Sequence, residues 1–395
     1  MKLHGTRPWR PIRNEVFASL ETRPKLLISS RFAVASAPAP VVFRPSQLPL
    51  ISEVKHKLQD GEYRLEQSAC PCGATDGPII SEVDRYGLPL SFVLCASCGT
   101  IRVDPYLDDT SLADFYTHYF QEMYGRVPDV ESYFQRQAQY GRRVLASVRH
   151  WLKPGSCVYE VGCGAGGALD VFKRAGFQVA GCDYSAELLA AGKERGVSNI
   201  YHGSLKDIPA EVPKADLIYL NHVFEHMNDP LGFLNDCRNR LADGGRIVIV
   251  VPDVSRIDSF TVPAGDLIQF LHIAHKYNFS LEGIRKLSAQ GGYNVQHMTP
   301  DPKIQTSHSI MPELWIELTI SATTQRVSER SSQGDKMLHY LQRTEKLYAR
   351  GLCRAQLAQR IDRSKKSLGN NLARLRRATP AKVIHRLRRL LFHSV

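Results

Sequence analysis

The sequence predicts an α/β fold built on a doubly wound, mostly parallel sheet of seven strands. Short apolar runs alternate with amphipathic helical segments, a pattern that predicts parallel strands joined by right-handed helical crossovers. The first run ends in Glu160 and breaks almost at once into a glycine-rich turn. Such a turn is typical of folds in which the backbone bends sharply after a strand and approaches a ligand closely.

Each predicted element rests on its own pattern of apolar residues. The seven runs that predict strands are 157–160, 177–182, 199–202, 215–220, 246–251, 293–297 and 314–320. Helical periodicity predicts helices at 131–152, 169–175, 186–195, 231–241 and 281–290. Residues 254–280 are predicted to form an insertion after the fifth strand. The last run alternates apolar with polar residues, which predicts a strand near the sheet edge.

The glycine-rich turn carries Gly162, Gly164, Gly166 and Gly167. Gly162, Gly164 and Gly167 have the spacing of a dinucleotide-binding loop. The turn alone is therefore compatible with a nicotinamide or flavin cofactor as well as with S-adenosylmethionine. The second run leads to Asp183, 21 residues after Gly162. A carboxylate at the tip of that strand can accept hydrogen bonds from both ribose hydroxyls of an adenosine.

Two later segments separate these alternatives. Residues 221–226 (Asn-His-Val-Phe-Glu-His) follow the fourth run, and residues 244–246 (Gly-Gly-Arg) precede the fifth. A dehydrogenase keeps the glycine loop but has no use for these two segments. With the glycine loop and Asp183 in this order, the chain resembles class I S-adenosylmethionine-dependent methyltransferases over roughly residues 130–322.

The resemblance implies a Rossmann-like methyltransferase domain at 131–322 with S-adenosylmethionine as its cofactor. Glu160 would approach the methionine amino group, Asp183 would bind the ribose, and a backbone turn after the third strand would flank the adenine. The implied cofactor-binding residues are Glu160, Gly162, Gly164, Gly166, Asp183, Tyr184, Ser204, Leu205 and Asn221.

A cysteine module precedes this domain at residues 68–105. Cys70 and Cys72 form one pair, Cys95 and Cys98 form the other, and a glycine follows each pair. Four thiolates from two such turns can complete a tetrahedral structural zinc site, so the module is predicted to be zinc-ribbon-like. The first pair is one residue shorter than the usual spacing. Four reduced cysteines without a metal are the alternative.

A cysteine module ahead of such a domain resembles the sugar C-methyltransferases and related enzymes of polysaccharide gene clusters. The resemblance continues at His275, Phe279 and Ser280. Ala274 stands where that family has a glutamate, and Asn278 stands where it has a tyrosine. These differences favour methylation on oxygen, with a sugar, a polysaccharide precursor or a related small molecule as acceptor.

A hydroxyl acceptor must lose its proton as the methyl group is transferred. A neutral histidine suits this role at neutral pH, and the candidates are His275, His226 and His222. His275 lies in the insertion that is expected to cap the acceptor site. His226 is as compatible with organising its loop, and His222 follows the fourth strand, where the family contacts the methionine part of the cofactor.

The net charge of +12 is concentrated at the two ends of the chain. Residues 1–50 carry +6 and residues 326–395 carry +14, which leaves −8 for residues 51–325. A nucleic-acid-binding domain usually carries its basic patch on the folded body, so the distribution disfavours nucleic acid as a partner. A small-molecule or glycan acceptor is the expected partner.

The two basic ends have different patterns. Residues 1–50 contain seven prolines, which predicts a disordered or targeting-like extension. Residues 335–395 are predicted to form a basic helical tail. The last helix of this tail has an apolar face flanked by basic residues, which is compatible with peripheral contact to an anionic membrane or with a solvated or self-associating helix.

Composition also limits the cellular setting and leaves three functional alternatives open. The nine cysteines show no disulfide-like framework and no run approaches ~18 apolar residues, so we expect a cytoplasmic protein, with membrane contact only at its periphery. The alternatives are O-methylation of a quinone or small aromatic molecule, an RNA-binding zinc protein or RNA methyltransferase, and a non-catalytic partner that keeps the cofactor fold.

Overall fold

The computed structural model describes residues 23–34, 43–123, 129–259, 266–300, 312–321 and 333–351. The predicted basic helix near the C-terminus and residues 1–22 lie outside the described residues. The chain divides into two compact units, Met1–Thr344 and Glu345–Val395. Residues 333–344 of the first unit and 345–351 of the second are helical.

The strands and helices below are numbered in chain order. The strands are β1 (Leu65–Glu66), β2 (Ile79–Ser81), β3 (Phe92–Leu94), β4 (Ile101–Val103), β5 (Tyr106–Leu107), β6 (Cys157–Val161), β7 (Gln178–Asp183), β8 (Ile200–His202), β9 (Ala215–Asn221), β10 (Leu241–Pro252), β11 (Tyr277–Asn278), β12 (Tyr293–Pro300) and β13 (Glu313–Ile320). The helices are α1 (Gln47–Asp60), α2 (Asp109–His118), α3 (Phe120–Met123), α4 (Val130–Val148), α5 (Gly167–Arg174), α6 (Ala186–Glu194), α7 (Pro230–Arg240) and α8 (Leu281–Gln290).

A seven-stranded sheet with the order β12-β13-β10-β9-β6-β7-β8 forms the centre of the first unit. Strands β6 to β10 are parallel to one another, and β13 is antiparallel to both β10 and β12. The predicted α/β fold with a mostly parallel seven-stranded sheet is therefore confirmed. The parallel strands are apolar along most of their length because side chains cover both faces.

The last strand lies near the sheet edge, as predicted, next to the edge strand β12. Strand β13 lies between β10 and β12, and most of its residues are buried. The alternating polarity arises from a buried polar pair. Glu317 accepts a hydrogen bond from the Trp315 indole at 3.0 Å and lies 3.5 Å from the Arg246 guanidinium. These contacts satisfy the carboxylate inside the sheet.

A second body contains the cysteine module. Strands β2, β3 and β4 form an antiparallel sheet, to which β11 of the insertion adds a fourth strand beside β4. One apolar core joins α1, the module strands, α2 and the insertion. The module is therefore part of a body that also contains residues 254–259 and 266–274, and these parts of the insertion pack on it.

Residues 23–34 belong to this body, in contrast to the extension predicted for residues 1–50. The Leu26 amide donates a hydrogen bond to the Ile79 carbonyl, and the Ile28 amide donates to the Ile80 carbonyl. Phe32 is wholly buried in the shared core. Apolar residues between the prolines therefore give this segment a buried face. The number of prolines alone did not predict this.

The insertion is attached to the module through backbone hydrogen bonds. The buried Asp84 carboxylate accepts bonds from the amides of Tyr86, Leu88 and Ile273. The Arg85 amide donates to the Leu271 carbonyl at 2.7 Å. These bonds fix the loop that carries His275. No helix among the described residues is long and apolar enough to cross a membrane.

Helix α4 covers the start of α5 through a close contact at Gly141. A Cβ atom at Gly141 would lie 2.7 Å from the Ala168 Cα and 2.8 Å from its carbonyl oxygen. The absence of a side chain there lets α4 approach the helix that follows the glycine loop.

We expect Gly141→Ala to destabilise the protein. Helix propensity alone would give about 0.5–1 kcal/mol of stabilisation, but the clash with the Ala168 backbone should cost about 1–3 kcal/mol. Chemical denaturation measures the free energy of unfolding. The exposed Gln139→Ala on the same helix is the control and should change little. A more stable Gly141→Ala protein would contradict the packing described here.

Candidate cofactor and acceptor site

The glycine loop connects β6 to α5 and is fastened to the end of β7. Gly162, Gly164 and Gly166 have φ angles of 73°, 50° and 75°, a left-handed conformation that favours glycine. The amides of Gly162 and Cys163 donate to the Cys182 carbonyl at 2.8 and 3.1 Å. The loop therefore has a defined shape without a bound ligand.

Asp183 stands at the end of β7 and faces this loop. Its Oδ2 accepts a hydrogen bond from the Gly164 amide, and its Oδ1 accepts one from the Ser185 amide, both at 2.8 Å. Burial raises the pKa of Asp183, and these backbone bonds act in the opposite direction. Each carboxylate oxygen has a further lone pair, so both can still accept from ribose hydroxyls.

Glu160 is buried near the end of β6 with one oxygen unsatisfied. Its Oε2 has no hydrogen-bond partner among the described residues. Burial raises the pKa of Glu160 well above its usual value, and the nearby charge of Asp183 raises it further. An ammonium group would relieve both effects. This fits the methionine amino group of S-adenosylmethionine, which carries that charge.

The structure separates the other predicted cofactor residues into two groups. Tyr184 is 74% exposed beside Asp183, and Asn221 has a buried Oδ1 without a partner among the described residues. Both can reach a ligand. The Ser204 hydroxyl instead bonds to Asp207 as the cap of a short helical turn, and the Leu205 side chain is buried in the core. In this conformation the Ser204 hydroxyl is used by Asp207 and the Leu205 side chain faces the core, so the backbone of this turn is the part available to flank an adenine.

Two residues of α4 complete the cofactor side, and the sequence interpretation missed both. The Gln137 amide donates to the Cys163 carbonyl at 2.7 Å, and its Oε1 accepts from the Gly167 amide at 3.3 Å. A Cβ at Gly164 would lie 2.7 Å from the Tyr133 hydroxyl. These residues are four apart, on the edge of the apolar stripe of α4, and this spacing is the signal that could have identified them.

The segment after β9 lies against the glycine loop. Strands β6 and β9 are paired with Val161 opposite Leu220, so the two loops that follow leave the sheet side by side. A Cβ atom at Gly162 would collide with the Val223 side chain. The glycine loop and residues 221–226 therefore pack against each other and lie on the same side of the site.

Glu225 is at the centre of a group of histidines on this segment and the insertion. Its Oε1 lies 3.4 Å from His222 Nδ1, 3.9 Å from His226 Nε2 and 3.8 Å from His275 Nε2. His272 joins the group, because its ring centroid lies 3.6 Å from that of His275. The structure therefore brings together all three predicted catalytic histidines, with a carboxylate that the sequence interpretation did not select.

His222 is not the neutral base that the sequence predicts. Burial alone lowers its pKa, but the neighbouring carboxylates of Glu225 and Glu313 raise the pKa to about 10. The Glu313 carboxylate lies only 2.8 Å from His222 Nε2. At neutral pH this ring is protonated and has no lone pair for a hydroxyl proton. Its φ angle of 54° is left-handed, a strained backbone conformation that holds it there.

His226 and His275 have the opposite electrostatics. Burial lowers the pKa of His226, and burial together with the neighbouring His226 lowers the pKa of His275 well below its usual value. Both rings are therefore neutral at neutral pH. Their ring centroids lie 4.8 Å apart, so the two imidazoles are in direct contact.

An aromatic helix supports this group from the other side. The Tyr116 hydroxyl on α2 lies 2.9 Å from His226 Nδ1, and the Tyr116 ring packs on Phe120. Several aromatic residues lie close together in this region of the sequence. At least one of them reaches the site, and its partner His226 is 110 residues away in sequence.

Comparisons with known proteins find similarity to methyltransferases over part of the chain. Residues 130–298 match the family model for a methyltransferase domain. The ubiquinone biosynthesis O-methyltransferase of Xanthomonas campestris pv. campestris (strain B100) is 32% identical over 102 residues, which cover 24% of this chain and 43% of that protein. The C-methyltransferase NovU of Streptomyces niveus is 26% identical over 184 residues, which cover 45% of this chain and 42% of that protein.

Among solved structures, the glycopeptide N-methyltransferase MtfA complexed with S-adenosyl-L-methionine is 13% identical, covers 46% of this chain and 93% of its own, and has a TM-score of 0.36. The chain spans less than half the length of the two curated relatives named above. Residues 130–298 match a methyltransferase domain, the class of domain that the glycine loop and Asp183 predict.

Asp183→Ala should weaken S-adenosylmethionine binding at least tenfold. Hydrogen bonds to a charged group contribute roughly 1.5–3 kcal/mol, and this change removes the ribose acceptor. Calorimetric titration measures the affinity, and a melting curve checks that the loop is retained. Asp236→Ala removes a carboxylate paired with Lys206 on the surface and serves as the control. Unchanged affinity in Asp183→Ala would exclude this residue from the cofactor site.

Proposed function

We propose that this protein transfers the methyl group of S-adenosylmethionine to a hydroxyl oxygen of a sugar, a polysaccharide precursor or a related small acceptor. The observation that carries the proposal is the pair of carboxylates beside the glycine loop, Glu160 buried and Asp183 half-buried. Glu160 keeps an unsatisfied oxygen and Asp183 keeps free lone pairs, on two adjacent strand ends. An adenosyl group with an amino-acid tail requires two such acceptors, one for its ammonium group and one for its ribose hydroxyls.

Each residue on the cofactor side has a separate task. Glu160 binds the ammonium group, Asp183 binds the ribose, and Gln137 keeps the loop in its bound shape. When bound, S-adenosylmethionine supplies an electrophilic methyl carbon on a sulfonium and leaves as a neutral thioether after in-line displacement. Because displacement requires alignment, fixing the cofactor against a rigid loop contributes directly to the rate.

The acceptor side must remove a proton and hold a hydroxyl in line. The group of Glu225, His226 and His275 lies on the loop that adjoins Gly162 and on the insertion that packs against it. Its two imidazoles are neutral, as hydroxyl activation requires. His222, being protonated, orients Glu225 instead.

Two observations support a polar acceptor. Asn278 is buried, and neither its Nδ2 nor its Oδ1 has a partner among the described residues. Such an amide represents unused hydrogen-bonding capacity that a hydroxylated ligand would satisfy. The net charge of −8 over residues 51–325 supports a small molecule or glycan over RNA.

A small-aromatic or quinol acceptor is the second candidate. Tyr116 and Phe120 pack together at 4.8 Å between centroids and adjoin His226, which would suit a flat ring. Several relatives are named ubiquinone biosynthesis O-methyltransferases. One assay distinguishes the two candidates: release of S-adenosylhomocysteine is measured with panels of nucleotide sugars, glycans and catechols.

His275→Ala should leave S-adenosylmethionine binding intact and lower turnover on the true acceptor by about 100-fold or more, since proton transfer contributes about 10²–10⁴-fold. Calorimetry measures binding, and product release measures turnover. His118→Ala is the matched control because that ring is 59% exposed and lies outside the group. Full turnover in His275→Ala would remove this residue from the mechanism.

We also propose that Cys70, Cys72, Cys95 and Cys98 hold a structural zinc ion. The four sulfur atoms lie within 4.8 Å of one another, with Cys70 to Cys98 at 3.5 Å and Cys72 to Cys95 at 3.6 Å. Tetrahedral zinc with bonds of about 2.3 Å requires sulfur separations of about 3.8 Å. The shortened first pair therefore still brings both thiols into place. Four sulfurs leave no position open for a substrate.

The cysteine cluster is coupled to the acceptor side through Ser280. The Ser280 hydroxyl donates to the Cys98 carbonyl at 2.6 Å, and the Lys286 ammonium donates to the Ser97 hydroxyl at 2.8 Å. Strand β11, two residues after His275, pairs with β4 of the module. Loss of the ion would therefore weaken the contacts that hold the segment with His275 against the cysteine module.

Removal of zinc should lower the melting temperature and acceptor turnover while affecting S-adenosylmethionine binding less. Elemental analysis should find one zinc per chain, and chelation should remove it together with the stability it provides. Cys237→Ser, at a buried cysteine outside the cluster, is the control and should retain its zinc. Absence of zinc in the purified protein, with no change in melting on chelation, would refute the site.

A further inference from the structure

We infer that Glu225, His226 and His275 form a binding site for a divalent transition-metal ion, distinct from the cysteine cluster. The inference rests on the proposed function for the reaction that the ion would serve, and with the ion bound His226 and His275 would act as ligands in place of the direct base role described above. The observations that carry it are the convergence of three ligand atoms and a buried carboxylate with no hydrogen-bond partner.

The three ligand atoms already face one another. A Glu225 oxygen, a His226 nitrogen and a His275 nitrogen all lie within 4.8 Å of one another. The Glu225 Oε1 is 3.9 and 3.8 Å from the two imidazole nitrogens. Around an ion with bonds of about 2.1 Å, such atoms lie about 3–3.4 Å apart. Small side-chain rotations would therefore close the site without backbone movement.

Glu225 lacks the hydrogen bonds that a buried carboxylate requires. It is wholly buried, and neither of its oxygens makes a hydrogen bond with another described residue. The His222 ion pair at 3.4 Å is too long to replace them. Since buried charges are normally paired closely or bound to metal, an ion between the three residues accounts for this carboxylate.

The surrounding residues orient the ligands as they do in known metal sites. The Tyr116 hydroxyl lies 2.9 Å from His226 Nδ1, which leaves Nε2 directed at Glu225. His222 lies between Glu225 and Glu313 and fixes the carboxylate from behind. Outer partners of this kind set the ring orientation and typically change metal affinity by about 10–100-fold.

Two imidazoles and one carboxylate leave coordination positions open for a substrate. This donor set suits Mn²⁺, Fe²⁺ or Zn²⁺ and is harder than the four-thiolate cluster. An acceptor oxygen that enters an open position becomes more acidic. Its proton passes to solvent, its lone pair forms the bond to the methyl carbon, and the carbon–sulfur bond breaks with its electrons on sulfur. Acceptors with adjacent oxygens, such as vicinal diols or catechols, would occupy two positions.

Binding of Mn²⁺ to the zinc-loaded full chain tests the site without any acceptor. Bound Mn²⁺ loses its solution electron paramagnetic resonance signal, which gives stoichiometry and affinity. We expect one equivalent in the wild type and at least tenfold weaker binding in Glu225→Gln, His226→Ala and His275→Ala. Tyr116→Phe, a milder change outside the ligand set, should weaken binding about tenfold. His118→Ala is the control, and a melting curve identifies variants that fail to fold.

The outcomes separate this inference from the proposed function. One Mn²⁺ that the three ligand variants lose and His118→Ala retains would support the site, whether or not the protein methylates the acceptors tried. No Mn²⁺ binding, or binding that Glu225→Gln and Tyr116→Phe leave unchanged, would overturn it. Methyl transfer at full rate in the zinc-loaded protein without Mn²⁺, Fe²⁺ or a second zinc would overturn the ion's role while leaving the proposed function standing.

Discussion

The site depends on two carboxylates, Glu160 and Asp183, that are held at adjacent strand ends inside the protein. Burial raises the pKa of both, and their mutual repulsion adds to the pKa of Glu160. Only the glycine loop lets backbone amides approach Asp183 closely enough to offset part of this cost. A ligand with a positive amino-acid tail and two ribose hydroxyls would relieve the remainder, so the electrostatics of this pocket favour such a ligand.

The second half of the site comes from a different body of the protein. The sheet supplies His222, Glu225 and His226 after β9, whereas the insertion supplies His275 and is itself fixed by the cysteine module. Bonds from Asp84 and Ser280 hold that loop from both of its sides. The cofactor side of the site thus depends on the strand ends of the sheet. The geometry of Glu225, His226 and His275 depends in addition on how the insertion packs.

Much of the fold was predictable because the parallel strands are buried on both faces and therefore read as continuous apolar runs. Prediction was incomplete where a polar residue has a distant partner. Glu317 gives β13 its alternating polarity, and only the structure shows that this carboxylate is buried between Trp315 and Arg246. His222 resembles a neutral base, since Glu313 is 91 residues away. The glycine loop and Asp183 were identifiable from spacing alone, whereas Tyr116, Gln137 and Asn278 required the tertiary structure.

The pairing of β11 with β4 has a consequence for how acceptor preference can change. The wall around His275 is assembled from two stretches of chain, near residues 68–104 and 266–280, separated by most of the cofactor-binding sheet. Exchanging either stretch alone between homologous proteins would break the interlocking bonds, so the two must diverge together. A chimera intended to alter selectivity would need to transplant both pieces and could leave the intervening sheet untouched.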